Sequence, residues 1–331
     1  MSAVPAVTAD PHAEQGTQAG LEARVARFPA RQVQLASQRV VSYREADGGS
    51  HGDALPLVLL HGIGSGAASW VQQFEALGAT RRVLAWDAPG YGASTPVEAA
   101  SPCAGDYAAV LREWLDALGI ERCVLLGHSL GAIVAGAFCA SSGSSGSAGL
   151  AVAQLERVAG LLLLSPAGGY GAAPAELRDA KRDQRLAMLR DLGPQGLAGQ
   201  RSGNMVSAHA SDEARAWVRW NMSRVIPQGY EQATHLLANA DLAADLARYR
   251  AGFQARVQAQ LQARNAAPIA IAVGAEDTIT PPAACEHLAQ AAGVPLQIVP
   301  RAGHAGYIEA PAAYTAIIDT FCRASDEHRS Q

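Results

Sequence analysis

The sequence predicts an α/β architecture, a mostly parallel sheet covered by helices on both faces and interrupted once by a helical insertion. Three observations carry that expectation. Six runs along the chain are continuously apolar rather than alternating, as strands buried on both faces require. Stretches of helical periodicity separate these runs, the arrangement of a parallel sheet with crossover helices. One long segment, between Ser165 and Pro268, has helical periodicity and no convincing strand. The 331 residues, 49% hydrophobic and 17% charged, supply a sizeable core and exclude global disorder, while length alone leaves one domain or two open.

Taken in order, residues 1–30 are expected to be an unstructured lead-in, from the Ala/Gln/Pro/Thr-rich composition of Met1 to Gly20. They lack the basic and apolar regions of a secretory signal. Two strand-like runs come next, Arg31–Ala36 and Val40–Arg44. The six apolar runs are Pro56–Leu60, Arg82–Trp86, Cys123–Leu126, Gly160–Leu164, Pro268–Val273 and Pro295–Val299, which makes eight strands. Helices fit at Asp106–Leu118, Ser129–Ala140 and Pro281–Ala292. The Ser/Gly tract Ser141–Gly149 is expected to be an exposed loop without chemistry. The sheet core is thus expected over 31–170 and 268–323, with 324–331 as a tail. Residues 171–267, inserted after the sixth strand, are expected to form a helical lid over the carboxyl edge of the sheet.

The net charge of −4 gives no electrostatic reason to expect nucleic acid or an anionic membrane as partner. It is unevenly placed. Residues 171–267 carry 13 basic and 9 acidic side chains, net +4, so the remainder is −8. That split hints at an anionic small-molecule substrate. The five cysteines (Cys103, Cys123, Cys139, Cys285, Cys322) are scattered and never form a CxxC pair, which argues against a disulfide framework or a zinc site. No apolar run approaches the roughly 18–20 residues of a membrane span. A soluble, cytoplasmic protein is expected, and its oligomeric state is not legible.

The strongest chemical signal is Gly127-His-Ser-Leu-Gly131. It comes directly after a buried run and opens a helical stretch, the strand–turn–helix setting in which Ser129 would project above the sheet edge. The helix N-terminus offers the Leu130 N–H to a developing oxyanion. A nucleophilic serine needs a base and an orienting acid. His304, after the last strand, is the best-placed histidine. The loop after strand Ile269–Val273 offers two carboxylates, Glu276 and Asp277, and the preceding strand end offers none. Either gives the order serine, acid, histidine associated with this topology. The second oxyanion donor is expected in the loop His61-Gly-Ile-Gly64, with the Ile63 N–H as candidate and His61 in a structural role. The run Gly62-Ile-Gly-Ser-Gly-Ala67, with Asp87 beyond it, also matches a dinucleotide fingerprint. A dehydrogenase reading leaves Ser129, Asp277 and His304 as coincidences, and Asp87 leads into a glycine-rich turn instead of a second nucleotide-binding half.

These pieces resemble the serine α/β-hydrolase-fold family. They are His61-Gly-Ile-Gly64, Asp87-Ala-Pro-Gly-Tyr-Gly-Ala-Ser94, Gly127-His-Ser-Leu-Gly131, Gly274-Ala-Glu-Asp277, Gly303-His304 and Glu309-Ala-Pro311. The resemblance spans residues 31–323 and implies the α/β-hydrolase fold. It also implies Asp277 as the acid, since the family carries it as the fourth residue of that segment. Gly66-Ala-Ala-Ser-Trp70, Arg82–Asp87, Gly229-Tyr230 and Ala240-Asp-Leu242 are similar to the group of 3-oxoadipate enol-lactonases and related carboxylic-ester hydrolases. That similarity implies a serine ester or lactone hydrolase acting on a small organic acid, in aromatic-compound catabolism, with no metal or organic cofactor. A C–C bond hydrolase of dienoate diketones and a cofactor-free haloperoxidase or perhydrolase activity use the same triad. In the lid, Trp217, Trp220, Met205 and Met222 are candidates to line the pocket. Arg185, Arg215 and Arg219 are candidates to meet a substrate carboxylate.

Overall fold

The computed structural model describes residues 11–49, 52–141, 157–259 and 268–330. One sheet holds eight strands: β1 (Arg31–Gln34), β2 (Val40–Ala46), β3 (Leu57–Leu60), β4 (Val83–Trp86), β5 (Cys123–His128), β6 (Val158–Leu164), β7 (Ile269–Gly274) and β8 (Leu296–Val299). Their order is β1-β2-β4-β3-β5-β6-β7-β8. β2 runs against both neighbours and every other pair is parallel. The helices are α1 (Pro11–Ala26), α2 (Val71–Leu77), α3 (Ala104–Ala117), α4 (Leu130–Ala140), α5 (Ala175–Arg201), α6 (Asp212–Met222), α7 (Pro227–Asn239), α8 (Leu242–Ala259), α9 (Pro282–Ala292), α10 (Gly306–Glu309) and α11 (Pro311–Ser330). Among the described residues no helix is long and apolar enough to cross a membrane.

The continuous apolar runs serve two cores. Side chains alternate across a strand, so Val58, Leu60, Leu84, Trp86 and Leu125 join Leu111, Trp114 and Ile133 of α3 and α4 on one face. Leu57, Leu59, Val83, Val124 and Leu126 join Phe74 of α2 and Ile318 and Cys322 of α11 on the other. From β3 the chain steps outward to β4, then returns to place β5 on β3's opposite side. That reversal opens a crevice at the carboxyl ends of β3 and β5, where ligands of open α/β sheets bind.

Three sequence expectations are corrected. The lead-in is a helix from Pro11 onward, with residues 1–10 outside the described set. Leu21 and Val25, four residues apart, share a helix face and are buried in the second core. Between them Arg24 pairs with Glu75 of α2 (2.6 Å) and Glu213 of α6 (2.7 Å). The tail at 324–331 continues α11 through Ser330. There Asp326 accepts the Leu55 N–H (2.9 Å) and pairs with buried Arg81 (3.0 Å). The covering insertion also ends earlier than expected. α8 belongs to the sheet's own helix layer, packing on α4 and α9, with Leu242, Leu246 and Tyr249 in the first core. Helical periodicity cannot separate a covering helix from a sheet-packing one. The Ser/Gly tract from 142 onward and residues 260–267 lie outside the described residues.

Candidate active site

β5 ends at His128 and α4 begins at Leu130, leaving Ser129 alone in the turn at φ 54°, ψ −115°, a conformation costly for a residue with a Cβ. The surroundings hold it there. Its N–H donates to the Leu164 carbonyl (3.1 Å), and its own carbonyl accepts from Ala132 (3.1 Å) and Ala167 (3.2 Å). A Cβ at Gly127 would stand 2.5 Å from the Gly131 carbonyl oxygen, and one at Gly131 would overlap the Leu60 carbonyl. Strand, turn and helix therefore approach more closely than any other residue at these two positions permits.

The loop after β3 lies against this turn. A Cβ at Gly62 would sit 3.4 Å from Ser129 Oγ. The next residue, Ile63, lines a cavity above Ser129, its carbonyl held by the Tyr91 hydroxyl (2.7 Å). Leu130 also lines it, and as the first residue of α4 its N–H has no intrahelical acceptor. His61 bridges two loops. Its Nδ1 donates to the Gly62 carbonyl (2.8 Å) and its Nε2 accepts the Ala88 N–H (2.9 Å), while burial lowers its pKa. Asp87 accepts from the Ala67 N–H (2.8 Å) and the Ser42 hydroxyl (2.7 Å). The fingerprint-like run is thus tied into its own loops.

The loops after β7 and β8 bring Asp277 and His304 together. His304 Nδ1 donates to Asp277 Oδ2 at 2.9 Å. Asp277 Oδ1 accepts from Ile279 N (2.9 Å) and Thr280 N (2.8 Å), and the Thr280 hydroxyl stands 2.8 Å from Oδ2. Burial pushes the Asp277 carboxyl up. The His304 charge and the hydrogen bonds from His304 and Thr280 outweigh it, leaving a pKa of about 2. Of the two carboxylates in this loop, Glu276 instead meets His209 (3.1 Å) at the surface. His304 Nε2 is buried, lines the cavity with Ser129, and has no hydrogen-bond partner among the described residues. No bond joins it to Ser129 Oγ; catalytic hydrogen bonds commonly tighten only when substrate enters.

Two polar residues beside the pair were not singled out in the sequence. Thr280, three residues after Asp277, also lies 3.1 Å from the Ser165 carbonyl. His128, inside the serine motif, donates from Nε2 to the His304 carbonyl (2.9 Å) and packs against the His304 and Tyr307 rings. Burial, with His304 close by, pushes its pKa down to about 3, so the ring is neutral near pH 7.

The cavity above Ser129 has a volume of about 400 Å³. Cap helices close it with Arg185, Arg201, Met205, Met222 and Tyr230. Of the sequence candidates, Arg185, Met205 and Met222 line it; Arg201 is not among those candidates. Trp217 and Trp220 do not line it, contrary to expectation. They stack on each other at 5.0 Å, Trp220 Nε1 donates to Glu22 of α1 (3.1 Å), and Arg224 covers the Trp220 ring. Three residues apart, they share the α6 face that meets α1, while Val218, Asn221 and Met222 face the cavity. Arg219 is exposed and off the cavity, and Arg215 donates to the Ser207 and Ala208 carbonyls. Among the described residues no group of His, Cys, Asp and Glu is arranged to hold a metal ion.

Residues 57–317 match the family described as the Alpha/beta hydrolase family. The chain belongs to that family. It is 29% identical over 186 residues to a mouse (lyso)-N-acylphosphatidylethanolamine lipase, covering 51% of each chain. It thus spans about half the length of that relative. A thermophilic esterase from Thermogutta terrifontis superposes with a TM-score of 0.70 at 21% identity, covering 90% of this chain and 99% of the esterase. The enol-lactonase from Burkholderia xenovorans LB400 superposes with a TM-score of 0.68 at 22% identity, covering 88% and 99%. Both of these likenesses are likenesses of fold.

Proposed function

We propose that this member of the family is a serine hydrolase that cleaves a carboxylic ester or lactone of a small organic acid through an acyl-enzyme. One observation carries the reading: Ser129, held on its strained turn, and the unpartnered Nε2 of Asp277-paired His304 open on one cavity. The cavity size suits a small acid, and esterase and enol-lactonase relatives of the same fold support the reaction class.

Each residue takes one part of the chemistry. His304 Nε2 takes the Ser129 hydroxyl proton as Oγ attacks the carbonyl carbon, and the Ile63 and Leu130 N–H groups receive the oxyanion. Asp277 keeps the proton of neutral His304 on Nδ1, leaving Nε2 free to accept, and stabilises the imidazolium that forms. The imidazolium returns its proton to the leaving oxygen as the C–O bond breaks. Water, deprotonated by His304, then adds to the acyl-enzyme and releases the acid and Ser129. The test is Ser129→Ala against p-nitrophenyl butyrate, with mass-spectrometric mapping of a fluorophosphonate adduct. Turnover should vanish and the adduct should map to Ser129 in the parent protein; retained turnover would overturn the assignment.

A further inference from the structure

Two arginines enter the cavity from one helix, and the backbone is bent to bring them there. Arg185 and Arg201 are 16 residues apart on α5, which in a straight helix would separate them by about 24 Å. α5 is not straight. Gly193 lies at φ 61°, ψ 179°, a region open essentially to glycine alone, and Pro194 starts the second segment. Both arginines then line the same cavity as Ser129 and His304.

Neither has a carboxylate partner among the described residues. The other arginines of α5's first segment all have carboxylate partners: Arg178 with Asp179 (3.1 Å), Arg182 with Asp179 and Asp183, and Arg190 with Asp191 (2.9 Å). Among the described residues no ion pair or hydrogen bond joins Arg185 or Arg201 to a carboxylate. Asp241 also lines the cavity, but its Oδ1 caps α8 through the Ala244 N–H (3.0 Å). Arg201 is half-buried, and that desolvation, with the nearby charge of Arg185, lowers its pKa. Two guanidiniums facing one cavity repel each other unless an anion lies between them, and the planar fork of each matches a carboxylate bidentately. Met205, Met222 and Leu237 line the same cavity, so the rest of the ligand meets apolar surface.

We propose that Arg185 and Arg201 form an anion subsite that holds a carboxylate on the non-reacting end of the substrate, so that the chain acts on half-esters of dicarboxylic acids. This rests on the serine-hydrolase reading for the reaction and on the arginines alone for the anion, and the two can fail separately.

Binding is read first, without turnover. Isothermal titration of glutarate into the Ser129→Ala protein should give saturable binding, weakened at least about tenfold by Arg185→Gln and by Arg201→Gln. Arg201→Lys, which keeps the charge in the half-buried position, should restore part of the loss, and thermal midpoints check that each variant folds. Arg190→Gln, exposed and off the cavity, should leave binding where it was. Kinetics on the parent protein then compare kcat/KM for mono-p-nitrophenyl glutarate with p-nitrophenyl butyrate, a ratio that should fall about tenfold in either glutamine variant. Absence of saturable glutarate binding, or binding indifferent to both substitutions, would overturn the subsite whatever the esterase result. Inorganic phosphate binding more tightly than glutarate, through the same two arginines, would overturn the carboxylate in favour of a phosphate ester. Arginine-dependent glutarate binding with neither ester hydrolysed would uphold the subsite and sink the hydrolase reading.

Discussion

Replacing Asp277 by asparagine should invert the tautomer of His304 while leaving the fold in place. The carboxylate makes two kinds of contact. Oδ1 accepts backbone N–H groups from Ile279 and Thr280 at 2.9 and 2.8 Å, so an asparagine must put its carbonyl oxygen there. Its NH2 then occupies the Oδ2 position, 2.9 Å from His304 Nδ1, and donates to that nitrogen. The ring proton moves to Nε2, the atom that should receive the serine proton. A misplaced tautomer of this kind lowers kcat about 10⁴-fold, or about 5.5 kcal/mol of transition-state stabilisation. The stability cost is smaller. With the carboxyl at about 2 against an ordinary 3.8, the charge contributes on the order of 2 kcal/mol near neutral pH. Because the folded pKa is depressed, that contribution is present above about pH 4 and disappears as pH falls toward 2. Initial rates on p-nitrophenyl butyrate at pH 7.5 and urea unfolding of both proteins measure the two effects. A folded Asp277→Asn protein within about tenfold of the parent kcat would refute the role of Asp277.

Other perturbations separate structural from functional roles. Leu21→Ala should destabilise by about 2–4 kcal/mol in urea unfolding, since Leu21 is buried, whereas an unstructured lead-in would make it silent. Gly131→Ala, driving a Cβ into the Leu60 carbonyl, should cost about 3 kcal/mol or more by the same measurement. Trp220→Ala should lower the thermal midpoint and leave KM unchanged, because its indole faces α1; a raised KM would restore it to the pocket. The His128 ring should show no titration by NMR between pH 5 and 8. Its depressed pKa means the unfolded chain binds a proton that the folded one refuses below about pH 6.5, so stability should fall as pH drops from there toward 3, by about 1.4 kcal/mol per unit.

Strand ends were the legible part. Continuous apolar runs marked six of the eight strands, and the residues within five positions of three strand ends then marked Ser129, Asp277 and His304, which the structure gathers at one crevice. Side-chain direction on the cap was not legible, because amphipathic spacing shows that Trp217 and Trp220 share a face and not what that face meets. Its partner, α1, carries too few apolar residues to stand out from its surroundings. α8 reads from the sequence as part of the lid for a related reason: helical period is the same over a sheet as over a pocket. Arg201 was invisible as a pocket residue because its place depends on a backbone break eight residues earlier.

Gly193 therefore bears on the proposed anion subsite without lining the cavity, and the space where its Cβ would stand is open. A side chain there would meet open space but strain the backbone at φ 61°, ψ 179°, and relief of that strain would change the angle between the two halves of α5 and so the spacing of Arg185 and Arg201, both side chains still present. A mutational library drawn from the cavity wall would never sample that position. Comparing relatives by their wall residues alone would likewise group together enzymes whose selectivity differs.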